Sequence, residues 1–278
     1  IFDNVSTMTF ILDEKAKFPD TNPSIEEYAR VCSDAVDKAR KEWPIPETTK
    51  NAKVSTGFVG GNELLSTLWT QSFDAAATDG DSNNDDDSSL LDLLSNLKDL
   101  FSSEDLGKHA KEWDATFAGA SLLEKLSEKG DTILVHWKFN ASPLVGRDML
   151  YLIHRMTEEE ETDGRILRLT YAYASVSDDW VKSKTGKDVD YNSDNDDTKR
   201  VRAFNCYPSC DRITVYKNDK TSGTKITVDH LMTTDLGGWI GPCCFNNNFF
   251  KKALILANAH ECEAIREYML SLCKSDKK

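Results

Sequence analysis

The spacing of apolar residues switches between two periods along this chain. Residues 25–43 place Tyr28, Val31, Cys32, Ala35 and Ala39 at helical spacing, with Ser24 as N-cap and Pro44 as the stop. Residues 52–72 read as short strands around Gly60 and Gly61. Ser88 and Ser89 then cap a helix whose Leu90, Leu93, Leu94, Leu97 and Leu100 form an apolar face. From residue 133 the period becomes two: Ile133, Val135, Trp137 and Phe139 alternate with Leu134, His136 and Lys138. Strand patterns follow at 149–155, 166–174, 200–206, 212–217 and 225–234, separated by polar or glycine-bearing turns, and 177–199 reads as a long acidic loop. At 247–273 the helical period returns through Phe250, Ala253, Leu254, Ala257, Ala264, Ile265, Tyr268 and Leu272, with His260 and Glu261 interrupting the face.

Consecutive strands with short connections predict an antiparallel sheet, so the fold class is α+β. The organisation predicted is an N-terminal extension over 1–23 and one domain over 24–275. The run from Met232 through Gly237, Gly238 and Pro242 into the last helix suggests a helix laid over the sheet. Such a helix docks on a filled core, or, over a curved sheet, leaves room for an apolar guest.

Charge narrows the class of partner. The net charge is −13, which speaks against nucleic acid, whose affinity comes from Lys and Arg on phosphates. Residues 74–105 carry ten acids against Lys98, a local net of −9, so most of the imbalance sits in an insertion at about 74–88 and its flank. The tract 78–87 reads as a low-complexity loop. An adaptor role, with this insertion recruiting a basic partner, is the second function class the pattern raises.

No stretch reaches the roughly 20 apolar residues of a membrane span. Seven scattered cysteines point to a reducing, soluble compartment such as the cytoplasm. The start at Ile1 reads as that of a fragment, so any native targeting segment would be missing. Cys206 and Cys210 flank a turn at Tyr207-Pro-Ser and could meet across a hairpin. No metal-ligand spacing, nucleophile elbow or Cys/His pairing is present, so neither an enzyme nor a cofactor is expected. His136, His154 and His230 read as satisfied core or surface residues on strands.

Several motifs recur in order: Lys111-Glu-Trp-Asp114, Thr132-Ile-Leu-Val-His-Trp137, Pro143-Leu-Val-Gly-Arg-Asp148, Arg200-Val-Arg-Ala203 with Tyr207-Pro-Ser, Thr234-Asp-Leu-Gly-Gly-Trp-Ile240 and Asn247-Asn-Phe-Phe-Lys-Lys252. With this series the chain resembles the START (StAR-related lipid transfer) domain family, nearest its phosphatidylcholine-transfer branch. The resemblance implies a helix-grip fold, in which a curved antiparallel sheet wraps a long C-terminal helix around a lipid tunnel. It implies lipid binding and intermembrane transfer by a monomer that touches membranes transiently, with a phospholipid or sterol as cargo and no cofactor.

Carried over position by position, Trp137 and Tyr207 fall on cage residues for the choline group. Met149 stands where that branch has a third cage residue, a tyrosine, and Ala110 where it has an arginine for the phosphate. In the cholesterol carriers a charged pair occupies the places of Trp137 and Ile153. The implied cavity lining is Val135, Tyr151, Ile153, Leu254, Ala257 and Ile265, with Arg147 and Asp148 a candidate charge pair in the tunnel or at a turn. Trp239, Phe249, Phe250, Lys251 and Lys252 are the candidate lid and membrane contact.

Overall fold

The structure is a computed structural model. It describes residues 10–16, 18, 23–43, 47–48, 53–59, 64–75, 110–111, 114–140, 145–161, 165–188, 200–218, 223–237, 252, 255 and 259–268. The leucine helix expected at 88–100, the acidic tract 78–87 and most of the candidate lid lie outside these residues.

Helix α1 (Ile25–Glu42) begins where Ser24 Oγ accepts from the Glu27 amide at 3.2 Å, an N-cap with Glu26 and Glu27 in the first turn. Its buried stripe is Ile25, Tyr28, Ala29, Cys32, Val36 and Ala39, and it ends at Trp43, just before Pro44. Helix α2 (Asp178–Thr185) occupies part of the segment expected to be all loop. Ser177 caps its start, Gly186 closes it in the left-handed conformation, and the inward pair Trp180 and Val181 is what ties it down. With one apolar pair on an eight-residue helix, the periodic signal was too short to read. Helix α3 covers residues 259–268.

Among the described residues nine strands form one sheet: β1 (Glu47–Thr48), β2 (Lys53–Gly57), β3 (Ser66–Ala75), β4 (Phe117–Lys125), β5 (Thr132–Phe139), β6 (Arg147–Glu161), β7 (Arg165–Ser175), β8 (Val201–Asn218) and β9 (Gly223–Asp235). Their spatial order is β1-β2-β3-β9-β8-β7-β6-β5-β4. Every neighbour in that order pairs antiparallel; one short parallel pairing joins the starts of β6 and β8. Residues 200–206 and 212–217, read from sequence as separate strands around a turn, are parts of the single strand β8. Between Cys206 and Cys210, four residue steps of β8 match two of β9, from Thr233 to Leu231. The extra residues form a bulge, held by Ser209 Oγ on the Cys206 and Thr233 carbonyls. Cys206 and Cys210 are not joined in a disulfide, because the chain between them runs on along the strand rather than reversing.

The two faces of the sheet are both buried but against different partners. On the outer face Leu68, Leu134, Leu150, Leu152, Ala172, Ala174 and Leu231 pack with α1. On the inner face one apolar cluster runs from Val54 on β2 through β3, β9, β8, β7 and β6 to Ile133 and Val135 on β5, and includes Ile255, Ala259, Cys262 and Ile265 from the C-terminal helical residues. Nine strands at about 4.8 Å spacing span roughly 38 Å, whereas a helix with side chains is about 10 Å across. A single cluster can join so many strands to one helix only if the sheet curls around it. The fold is therefore α+β, a curved antiparallel sheet gripping a C-terminal helix.

Polar clamps fix α1 to the outer face. Asp229 is fully buried and accepts from Arg40 Nε at 2.9 Å, Arg40 Nη2 at 2.5 Å and Thr70 Oγ1 at 2.7 Å. Arg212 grips Asp37 through two bonds, at 2.9 and 2.7 Å, and also donates to the Ser33 carbonyl at 3.2 Å. The Asp37 carboxyl is held below its usual range, chiefly by that hydrogen bond from Arg212. Where the chain leaves β9, Gly237 has φ +66° and lies against the Arg202 carbonyl, leaving no room for a side chain.

Candidate functional site: the inner face of the sheet

Alternation along each strand decides which side chains line the inner face. On β5 these are Ile133, Val135 and Trp137, and on β6 Arg147, Met149, Tyr151 and Ile153, paired across the strands as Ile133–Ile153, Val135–Tyr151 and Trp137–Met149. Trp137 is partly buried and meets Phe117 of β4 edge to face, ring centres 4.8 Å apart. Tyr151 and Tyr173 make a second edge-on pair at 5.9 Å. Ile265 packs in the same cluster from α3. The structure thus brings Trp137, Met149, Val135, Tyr151, Ile153 and Ile265 together on one surface. Leu254, Ala257, Trp239, Phe249, Phe250 and Lys251 lie outside the described residues, and Lys252 is an exposed helical residue.

Tyr207 is not on that surface. It sits in the β8 bulge, out of step with the alternation, and packs on the α1 side against Phe18 (4.9 Å) and Tyr28 (6.3 Å). Burial pushes its hydroxyl up to about 12. A choline cage built from Trp137 and Tyr207 together is excluded by this placement, because the sheet lies between them.

Arg147 and Asp148 do not pair either. As neighbours on a strand they point to opposite faces. Asp148, fully buried on the outer face, accepts from Arg200 Nε at 2.5 Å and stands 3.5 Å from His136 Nε2. Burial pushes its carboxyl up, but His136 and Arg200 more than reverse this and hold it below its usual range. Arg147 is buried on the inner face, where it donates to the carbonyls of Leu236 (2.6 Å) and Val145. It therefore ties the exit of β9 to the entry of β6.

A polar group lies among the apolar residues of the inner face; the sequence pattern marked His230 and Glu261 singly but neither Asp211 nor their meeting. Asp211 of β8 and His230 of β9 are cross-strand partners, with His230 Nδ1 2.5 Å from Asp211 Oδ1. Tyr173 of β7 donates its hydroxyl to the other oxygen, Oδ2. Trp69 of β3, across from His230, stacks its indole on the imidazole at 5.0 Å and 18°. Burial pulls His230 down, but the charge and hydrogen bond of Asp211, with Glu261 and Asp114, hold it up at about 9. The ring is thus an imidazolium at neutral pH. Glu261 faces this group from α3; burial raises its carboxyl, His230 opposes, and Asp114 and Asp211 add to the rise, leaving it at about 7. Cys262 Sγ lies 3.3 Å from Gln71 Oε1 on the same face.

These residues were in principle findable. Ile226, Val228 and His230 share one parity, as do Asp211, Ile213 and Val215, so both polar side chains had to point where the apolar ones point. What the sequence lacked was any sign that two strands 19 residues apart would set them opposite each other. His260, which also broke the helical stripe, is exposed.

No family model matches the chain, and no curated protein does. Solved structures do. Human STARD10 is 15% identical, with 94% of this chain and 82% of that one covered, at a TM-score of 0.46. Human StAR-related lipid transfer protein 5 is 14% identical over 87% of this chain and 97% of that one, also at 0.46. A STAR-related lipid transfer protein fragment from Xanthomonas axonopodis is 16% identical over 82% and 98%, at 0.44. The neighbours of this fold thus include StAR-related lipid transfer proteins.

Proposed function

We propose that the protein binds one lipid between the curved sheet and its C-terminal helix and carries it between membranes. The observation that supports this most is the mismatch between the two surfaces. An apolar face running from β2 to β5 is met, among the described residues, by one helix whose contacts include the small side chains of Ala259, Cys262 and Ala264. Beside the larger Ile255, Ile265 and Tyr268, such small residues on a narrow helix would leave width for acyl chains.

Burying chains at ~0.8 kcal/mol per CH₂ gives about 20 kcal/mol for two long chains relative to water. Loss to water is then negligible in transit, while a target bilayer returns nearly the whole term and permits unloading. Phosphatidylcholine is the cargo favoured by the residues: Trp137, with Phe117 edge-on beside it and Met149 across from it, offers an aromatic surface to a quaternary ammonium. Such a contact contributes on the order of 1–2 kcal/mol when desolvated. A sterol is the second reading, favoured by the polar group at Asp211 and His230.

The test is native mass spectrometry of the protein isolated from eukaryotic cells, followed by vesicle-to-vesicle transfer. One lipid per chain and transfer well above the protein-free rate are expected. A lipid-free protein that leaves the transfer rate unchanged would overturn the proposal.

A further inference from the structure

The Trp69 indole nitrogen is fully buried, and no acceptor among the described residues takes its hydrogen. Buried donors without acceptors are rare and each is costly, so one that persists calls for an explanation. His230, stacked against the same ring, uses Nδ1 on Asp211, and no acceptor among the described residues takes its Nε2. Two stacked rings on the inner face therefore each carry an N–H donor that has no acceptor among the described residues.

We propose that Trp69 Nε1 and His230 Nε2 form an internal anchor for a neutral oxygen of the bound lipid, a hydroxyl or an ester carbonyl. This rests on the lipid-carrier reading. The neutrality follows from the charges around the site. Asp211 cancels the imidazolium, and Glu261 and Asp114 add only negative potential, so a phosphate or carboxylate would be repelled. Tyr173 has its hydroxyl committed to Asp211 and serves to orient the pair rather than to touch cargo. A hydroxyl on the lipid could also donate to Glu261, whereas an ester carbonyl would use the two donors alone.

Competitive extraction from vesicles separates the two sources. One arm offers a diester phosphatidylcholine against its diether analogue with the same chains and headgroup. The other offers a sterol against its 3-deoxy analogue. If the carbonyl is the anchored group, the wild type prefers the ester by about tenfold, and Trp69→Phe reduces this to within about twofold. If the hydroxyl is the anchored group, the same result appears in the sterol arm.

Uptake with no discrimination in either arm, or discrimination that survives in Trp69→Phe, overturns the anchor while leaving the carrier reading intact. No uptake at all fails the carrier reading itself. Should Trp69→Phe fail to fold, the wild type still decides: its ¹⁵N-labelled Trp69 indole resonance moves downfield on loading with the preferred lipid and not with its oxygen-deleted analogue. An indole resonance that ignores cargo, as it would if only water reached the donor, rejects the proposal.

Discussion

Removing the Asp211 charge tests the electrostatics of the inner face directly. In the native protein His230 is held near 9, against an ordinary 6.5. At about 1.4 kcal/mol per tenfold change in affinity for the proton, this corresponds to ~3 kcal/mol in favour of the charged ring. Because the folded value lies above the unfolded one, this contribution is complete below pH 6.5 and disappears as pH climbs through 9. Glu261, also raised, loses stability in the same direction but between its ordinary 4.5 and about 7. The buried thiols of Cys32, Cys210 and Cys262, raised from 9, lose it towards the top of the window from 7 to 9.5 in wild type and variant alike, so the difference between the two proteins reports the histidine. Asp211→Asn leaves a ring whose remaining dominant influence is burial, and its affinity for the proton should fall to the ordinary range or below. Urea denaturation every half pH unit should show the wild type losing ~2–3 kcal/mol relative to the variant between pH 7 and 9.5. Ring NMR titration should place His230 near 9 in the wild type and at or below 6.5 in the variant. Parallel stability curves over this window, or a wild-type ring already neutral at pH 7.5, would refute the argument.

Two further outcomes are expected. Asp229→Asn removes the buried charge that Arg40 and Arg212 share on the outer face, which should cost ~3 kcal/mol in denaturation and speed amide exchange in α1 more than in β5 and β6. Trp137→Leu keeps the inner wall apolar but removes the ring, so phosphatidylcholine uptake should drop about tenfold while sterol uptake changes little; equal losses for both lipids would mean that Trp137 serves only as packing.

Local patterns carried a good deal of this. Ser24 and the 3.6-residue stripe from Tyr28 to Ala39 specify α1 and its buried face, because a cap and a stripe are properties of contiguous residues. The two-residue alternation on β5 and β6 likewise assigns Val135, Trp137, Met149, Tyr151 and Ile153 to one surface. The same alternation forbids an Arg147–Asp148 pair, since adjacent strand residues diverge.

Alternation fails at Tyr207, where the β8 bulge inserts extra residues and turns the ring to the α1 side. A bulge is defined by its partner strand, so β8 alone could not announce it. Contiguous residues were enough to specify α1 and, for regular strands, the face each side chain takes, but not α2 or the continuity of β8. Tertiary structure decided which elements are neighbours: Asp211 meets Tyr173, 38 residues earlier, and Arg212 meets Asp37, 175 residues away. Contacts between distant segments depend on sheet order and curvature, which follow from the burial of all the faces at once rather than from any single window of residues.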